Sequence, residues 1–116
     1  MKVVDHDSIE DAEVFEGIFS KQVLNKKVGG SAAITVGELK LKPGAVLPAH
    51  IHGVEEALIV VEGQGEVISG DETQKIRANM TILAPAGKKH QIKNTGTEML
   101  KIYYTFPAVE VERILV

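Results

Sequence analysis

The sequence predicts an all-β protein built from short strands that form a sandwich or barrel. Three observations carry this. Valine and isoleucine together outnumber leucine, and β-branched side chains fit a pleated surface better than a helix. From Ile18 onward the apolar segments are short and are interrupted every few residues by glycine or proline. Near the end, Leu100, Ile102, Tyr104 and Phe106 alternate with Lys101, Tyr103 and Thr105, the period of a half-buried strand. Many short strands in one small chain favour closure, which removes exposed sheet edges.

The first dozen residues show one helical hint, Ser8 with Asp11 three positions on, which predicts the start of a single turn. The apolar runs then predict strands over 18 to 24, 31 to 41, 46 to 52, 55 to 62, 65 to 69, 74 to 78, 80 to 84, 89 to 93, 98 to 106 and 109 to 115. Between them lie NKKVGG, KPGA, EGQG, SGDET, PAGKK and NTGT, each rich in residues that adopt turn geometry.

Length and composition bound the function. The 116 residues are expected to form one domain spanning 1–116. By area scaling such a chain buries about two-thirds of its unfolded surface, enough for a hydrophobic core. With no cysteine, neither disulfides nor thiolate metal sites are available, so any metal must be held by nitrogen and oxygen. The net charge of −3, the scattered lysines and the lack of tryptophan argue against nucleic-acid binding. The longest apolar stretch, Ala57 to Val61, is far too short to span a bilayer, and the acidic N-terminus lacks a secretory pattern. A cytoplasmic location follows as the expectation.

The chemistry concentrates in HIHGVEE, residues 50 to 56, which holds two of the four histidines in the chain. In an extended segment His50 and His52 point to the same side and can bind one metal. Gly53 lets the chain bend, after which Glu55 or Glu56 can return a carboxylate. If Leu58 and Val60 face inward, Glu56 shares their parity and Glu55 does not. His90 follows the PAGKK turn, and a hairpin return could bring it opposite the first two. Three imidazoles and a carboxylate suit one divalent first-row metal (Mn, Fe, Co, Ni, Cu or Zn) with positions left for water or substrate. His6 reads as a surface residue. A lone H-x-H is common on surfaces that bind nothing, and the amidohydrolase centres that open with the same spacing need a barrel of about 250 residues.

The spacing beyond the histidines is more specific. GAVLPAHIHGVEEALIVVEG fits G-x5-H-x-H-x3-E-x6-G through Gly44, His50, His52, Glu56 and Gly63, and PAGKKHQIKN fits P-x-G-x2-H-x3-N through Pro85, Gly87, His90 and Asn94. Together these resemble the two motifs of the cupin superfamily, the first at about 44–63 and the second at about 79–94, in particular its small single-domain bacterial members of the cupin-2 type. One position departs from the pattern: Asn79 stands where the second motif normally begins with glycine, and asparagine tolerates left-handed backbone better than other non-glycine residues.

The resemblance implies an antiparallel double-stranded β-helix, a jelly-roll barrel, with the metal inside near one mouth. It places the ligands on His50, His52, Glu56 and His90. It also implies a small metalloenzyme, of dioxygenase, isomerase or lyase type, acting on a small oxygen-rich or anionic metabolite, or else a non-catalytic module that binds or senses a small molecule. Parity selects Leu39, Leu41, Met80, Ile82, Ile92, Tyr104 and Phe106 as the candidate pocket wall, with Tyr104 its one polar group. The terminal segments VFEGIFSKQVL and AVEVERILV are apolar and β-prone yet lie outside the motifs, which predicts a homodimer that covers them. The alternative is that both fold back as edge strands blunted by Glu110, Glu112 and Arg113.

Overall fold

The computed structural model describes residues 1–110 and 113–116. Its strands are β1 (Ala12–Phe15), β2 (Ile18–Leu24), β3 (Thr35–Leu41), β4 (Val46–Ile51), β5 (Glu56–Glu62), β6 (Gln64–Ser69), β7 (Glu72–Arg77), β8 (Met80–Ala84), β9 (His90–Lys93), β10 (Leu100–Phe106) and β11 (Ile114–Leu115). They form two sheets, in the orders β1-β2-β3-β10-β5-β8 and β11-β4-β9-β6-β7, with antiparallel pairing throughout. Neighbours such as β3-β10-β5 and β4-β9-β6 are distant in sequence, as a jelly roll requires.

Alternation sets what each sheet buries. Leu39, Leu41, Leu58, Val60, Ile102, Tyr104 and Phe106 point inward from the first sheet, and meet Leu47, Ile76 and Ile92 from the second. The β3-β10-β5 register explains the match, since Leu39, Ile102 and Val60 are direct partners across three strands.

The predicted strands 18 to 24 and 80 to 84 coincide with β2 and β8. Strand 31 to 41 begins four residues late, because the Ser31 hydroxyl accepts from the amides of Ala33 and Ile34 and so diverts the backbone from a ladder. Strand 74 to 78 begins early, at Glu72, because Gly70 and Asp71 alone make the hairpin turn, with Gly70 at φ +60. The N-terminal turn is also displaced. It spans His6–Ser8 and is capped by Asp5, whose carboxylate accepts from the Asp7 amide, so Ser8 ends the turn rather than starting it. Strand β1 follows, on four residues, too few and too exposed to stand out by periodicity.

Both terminal segments close on their own chain. Strands β1 and β2 extend the first sheet beyond β3, and β11 pairs with β4. Each segment is thus paired along one side with its own chain and forms the outer strand of its sheet, and Val14, Ile114, Leu115 and Val116 stay exposed there. Of the predicted strand 109 to 115, Val111 and Glu112 lie outside the described residues, as does the edge charge assigned to Glu112.

The turn glycines Gly44, Gly63 and Gly87 all have positive φ, and Asn79 joins them at φ 71, the positive-φ non-glycine residue among those described. The departure at this position is thus carried by left-handed asparagine. Asn79→Val is expected to cost about 1–2 kcal/mol in thermal or denaturant unfolding, while Asn79→Gly holds or raises stability. A valine variant as stable as the parent would contradict the assignment.

Candidate metal centre

Four side chains converge where the two sheets face each other. His50 lies near the end of β4 and is the register partner of His90, the first residue of β9. His52 follows β4 directly, and its carbonyl accepts from the Gly87 amide at 2.8 Å, which ties the two motif loops together. Glu56 opens β5, in parity with the buried Leu58 and Val60, whereas Glu55 is exposed. All four are buried, and one ligand atom from each lies within 4.8 Å of the others.

Backbone carbonyls orient two of the rings. His50 Nδ1 faces the Pro48 carbonyl at 2.8 Å and His90 Nδ1 faces that of Lys88 at 3.1 Å. When each Nδ1–H donates, the Nε2 lone pair is left for a metal, the usual way a protein fixes a ligand tautomer.

Glu56 Oε1 and His90 Nε2 are 3.4 Å apart and fully buried, yet neither has an aligned hydrogen-bond partner. Leaving two buried polar atoms unsatisfied is costly unless something binds both. His52 Nε2 lies 3.7 Å from the same carboxylate oxygen. Converging nitrogen and oxygen donors, two of them otherwise unsatisfied, fit one divalent cation.

The histidines differ in proton affinity. Burial pushes His50 down to about 4, helped by the charges of His90, Arg113 and His52 and opposed by the Pro48 carbonyl. Burial also pulls His90 down, but Glu56 and the Lys88 carbonyl outweigh it, and the net shift is above 6.5. The first competing proton therefore enters on His90. Metal affinity is expected to fall as pH drops from the alkaline side of 6.5, with His50 competing only near 4. In the metal-free protein, His50 contributes stability that is present above 6.5 and lost as pH falls toward 4. His90 acts in the opposite sense, contributing stability below 6.5 that is lost as pH rises through its folded value. A metal affinity that is flat between about pH 8 and pH 5 would contradict this picture.

His50, His52 and Glu56 open onto a cavity of about 440 Å³. Of the seven wall residues selected by parity, Leu39, Tyr104 and Phe106 line it. Leu41 and Ile92 are sealed in the core. Met80 and Ile82 are half-buried and border separate clefts, that of Ile82 shared with His90.

The wall is more polar than those seven residues suggest. Ser20 and Gln22 of β2 line it, as does Arg113, while Ile9, Glu10 and Ala12 of the N-terminal segment border it. Ser20 Oγ and Tyr104 Oη share a hydrogen bond of 3.0 Å. Burial raises the Tyr104 pKa, the Ser20 bond opposing it, so the phenol stays protonated. Ser20 and Gln22 share parity with the buried Ile18, and polar residues at inward strand positions were the signal that could have found them. Gly37 makes room for Tyr104: the two are register partners, and a Cβ at 37 would overlap the tyrosine ring. His6 lies outside the site. It is half-buried rather than a free surface residue, paired with the buried Glu38, which also meets Lys101 at 3.6 Å.

The family model described as the cupin domain matches residues 37–106, a span that contains all four ligands. Auxin-binding protein 1 of Arabidopsis thaliana is 28% identical over 95 residues, covering 74% of this chain and 48% of that protein. Polyketide synthase CurC of Streptomyces cyaneus is 30% identical over 93 residues, covering 69% of this chain and 60% of that protein. The chain thus spans about half the length of these curated relatives. Among solved structures, the polyketide cyclase RemF from Streptomyces resistomycificus superposes with a TM-score of 0.87 at 19% identity, covering all of this chain and 85% of that one.

Proposed function

Because the chain belongs to the cupin domain family, we propose that it is a small metalloenzyme, holding one divalent first-row metal on His50, His52, Glu56 and His90 and acting on a small oxygen-rich or anionic metabolite. The observation that carries this reading is the pair of buried, unsatisfied atoms Glu56 Oε1 and His90 Nε2 facing each other beside two more imidazoles. A structural barrel has no reason to bury these two atoms unsatisfied. Bound there, a divalent ion would polarise a substrate oxygen as a Lewis acid, or support O2 chemistry if it is redox-active.

The rest of the site follows from the chain's own residues. Glu56 supplies the single carboxylate that neutralises part of the ion's charge. Leu39, Leu47, Leu58 and Phe106 make an apolar wall that limits water and favours a substrate with hydrocarbon on one side. Tyr104 and Ser20 place two hydroxyls on the wall; one proton is used in their mutual bond and the other remains to donate to a substrate oxygen. One similar protein bears a name from polyketide chemistry.

A second reading, a module that binds a small molecule without turning it over, is favoured by one observation. Among the described residues of the cavity, the ionisable groups beyond the ligands are Glu10, Lys21, Tyr104 and Arg113. Tyr104 is held protonated, Lys21 Nζ is committed to the carbonyls of His6 and Ile9, and Glu10 is exposed at the border. Among the described residues of the cavity, no buried general base beyond the ligands stands ready. One similar protein is itself named for binding. Oxygen uptake and absorbance screening of the protein carrying its native metal, against a panel of small keto and hydroxy acids and phenols, separates the two. The enzyme reading expects turnover that chelation abolishes; saturable binding with no turnover across the panel would favour the module.

A further inference from the structure

Arg113 lies on the strand side that faces the histidines. The β11 register pairs Ile114 with Ile51 and Leu115 with His50, which brings Arg113, just before β11, beside the segment that carries His50 and His52. The guanidinium accordingly lines the same cavity as His50, His52 and Glu56, and sits 5.5 Å from the centre of the Phe15 ring. Its Nε is buried and has no hydrogen-bond partner, and no carboxylate pairs with it among the described residues. The other cation of the wall, Lys21, is already held by two backbone carbonyls, at 2.8 and 3.1 Å.

A guanidinium that lines a cavity without a carboxylate partner keeps its full charge beside the histidines, a cost that an anionic ligand in the cavity would offset. Guanidinium matches a carboxylate in a planar, two-pronged way that lysine does not. The local charge points the same way. Three neutral imidazoles and one carboxylate leave a divalent ion with a net positive charge, and Arg113 adds to it.

We propose that Arg113 is the substrate-anchoring residue of this cavity and that the ligand class is a small organic carboxylate, its anionic group held by the guanidinium while its hydrocarbon part rests on Leu39, Leu58 and Phe106. The pairing with Arg113 is independent of the metal; a second oxygen of the ligand reaching the ion rests on the metal-centre reading above. Phe15 lies against the guanidinium, and the Ser20–Tyr104 hydroxyl pair offers a further donor on the same wall.

The test is calorimetric titration of malonate, and of its neutral diamide malonamide, into the full chain, metal-free and zinc-loaded, for the parent, Arg113→Gln and Arg113→Lys. Malonate binding is expected to weaken by about tenfold or more in Arg113→Gln and by less in Arg113→Lys, in both metal states. Zinc affinity should not fall in either variant, and malonamide should not distinguish them from the parent. Malonate affinity within about twofold of the parent in Arg113→Gln, equal losses for malonate and malonamide, or no malonate binding by the parent would overturn the proposal. If zinc fails to bind the parent at all, it is the metal centre that fails, and Arg113 is judged by the metal-free titrations alone. The lysine variant keeps the charge, so a glutamine variant that does not fold leaves the comparison of parent and lysine decisive.

Discussion

Glu56→Gln lowers affinity for a divalent metal by about tenfold or more, and Glu55→Gln leaves it within about twofold of the parent. The two glutamates are neighbours in sequence and identical in chemistry, so the contrast isolates geometry. Glu56 is buried, shares its strand face with Leu58 and Val60, and directs Oε1 to within 3.4 Å of His90 and 3.7 Å of His52. Glutamine keeps the shape but removes the charge that offsets the ion, and turns one oxygen into an N–H donor that repels it. Glu55 is exposed on the opposite face. Chelator competition with zinc or manganese measures both affinities, and equal losses would refute the assignment.

Asn94→Ala destabilises the metal-free protein by about 3 kcal/mol, because it leaves three buried or part-buried backbone groups without their side-chain partner at once. The Asn94 side chain is 1% exposed. Its Nδ2 donates to the carbonyls of Leu41 and Glu98, both at 2.8 Å, and its Oδ1 accepts from the Gly96 amide at 2.9 Å. Its own amide bonds the Ala45 carbonyl at 3.0 Å. One residue thereby fastens the end of β3, the turn before β10 and the loop that leads into β4. For a chain of this size the loss corresponds to a fall of about 10–15 °C in Tm. A change below about 1 kcal/mol would show that water replaces these bonds without penalty.

The elements that could be read from the sequence were those whose alternation is set by burial on one face. β10 announces itself because every second residue packs into the core, and β2 and β8 stand out as short apolar runs bounded by turn residues. The ligand set was legible for a related reason: two-residue periodicity fixes His50 and His52 on one side, and the spacing to Glu56 and His90 has few other uses. What could not be read depended on contacts across the sheets. β1 has exposed residues along most of its length and owes its place to pairing with β2. The wall position of Arg113 comes from the pairing of β11 with β4, which sequence periodicity does not encode. Leu41 and Ile92 have the same parity as true wall residues but lie deeper along their strands, and parity gives the face without the depth.

The central claim, that His50, His52, Glu56 and His90 hold one divalent metal, is tested most directly by elemental analysis of untagged protein after exhaustive dialysis, run beside the doubly substituted His50→Ala, His90→Ala chain. The account predicts about one transition-metal ion per parent chain and essentially none in the substituted chain, with circular dichroism showing both folded. A parent that carries no metal even after loading, or a substituted chain that retains it in equal amount, would contradict the account.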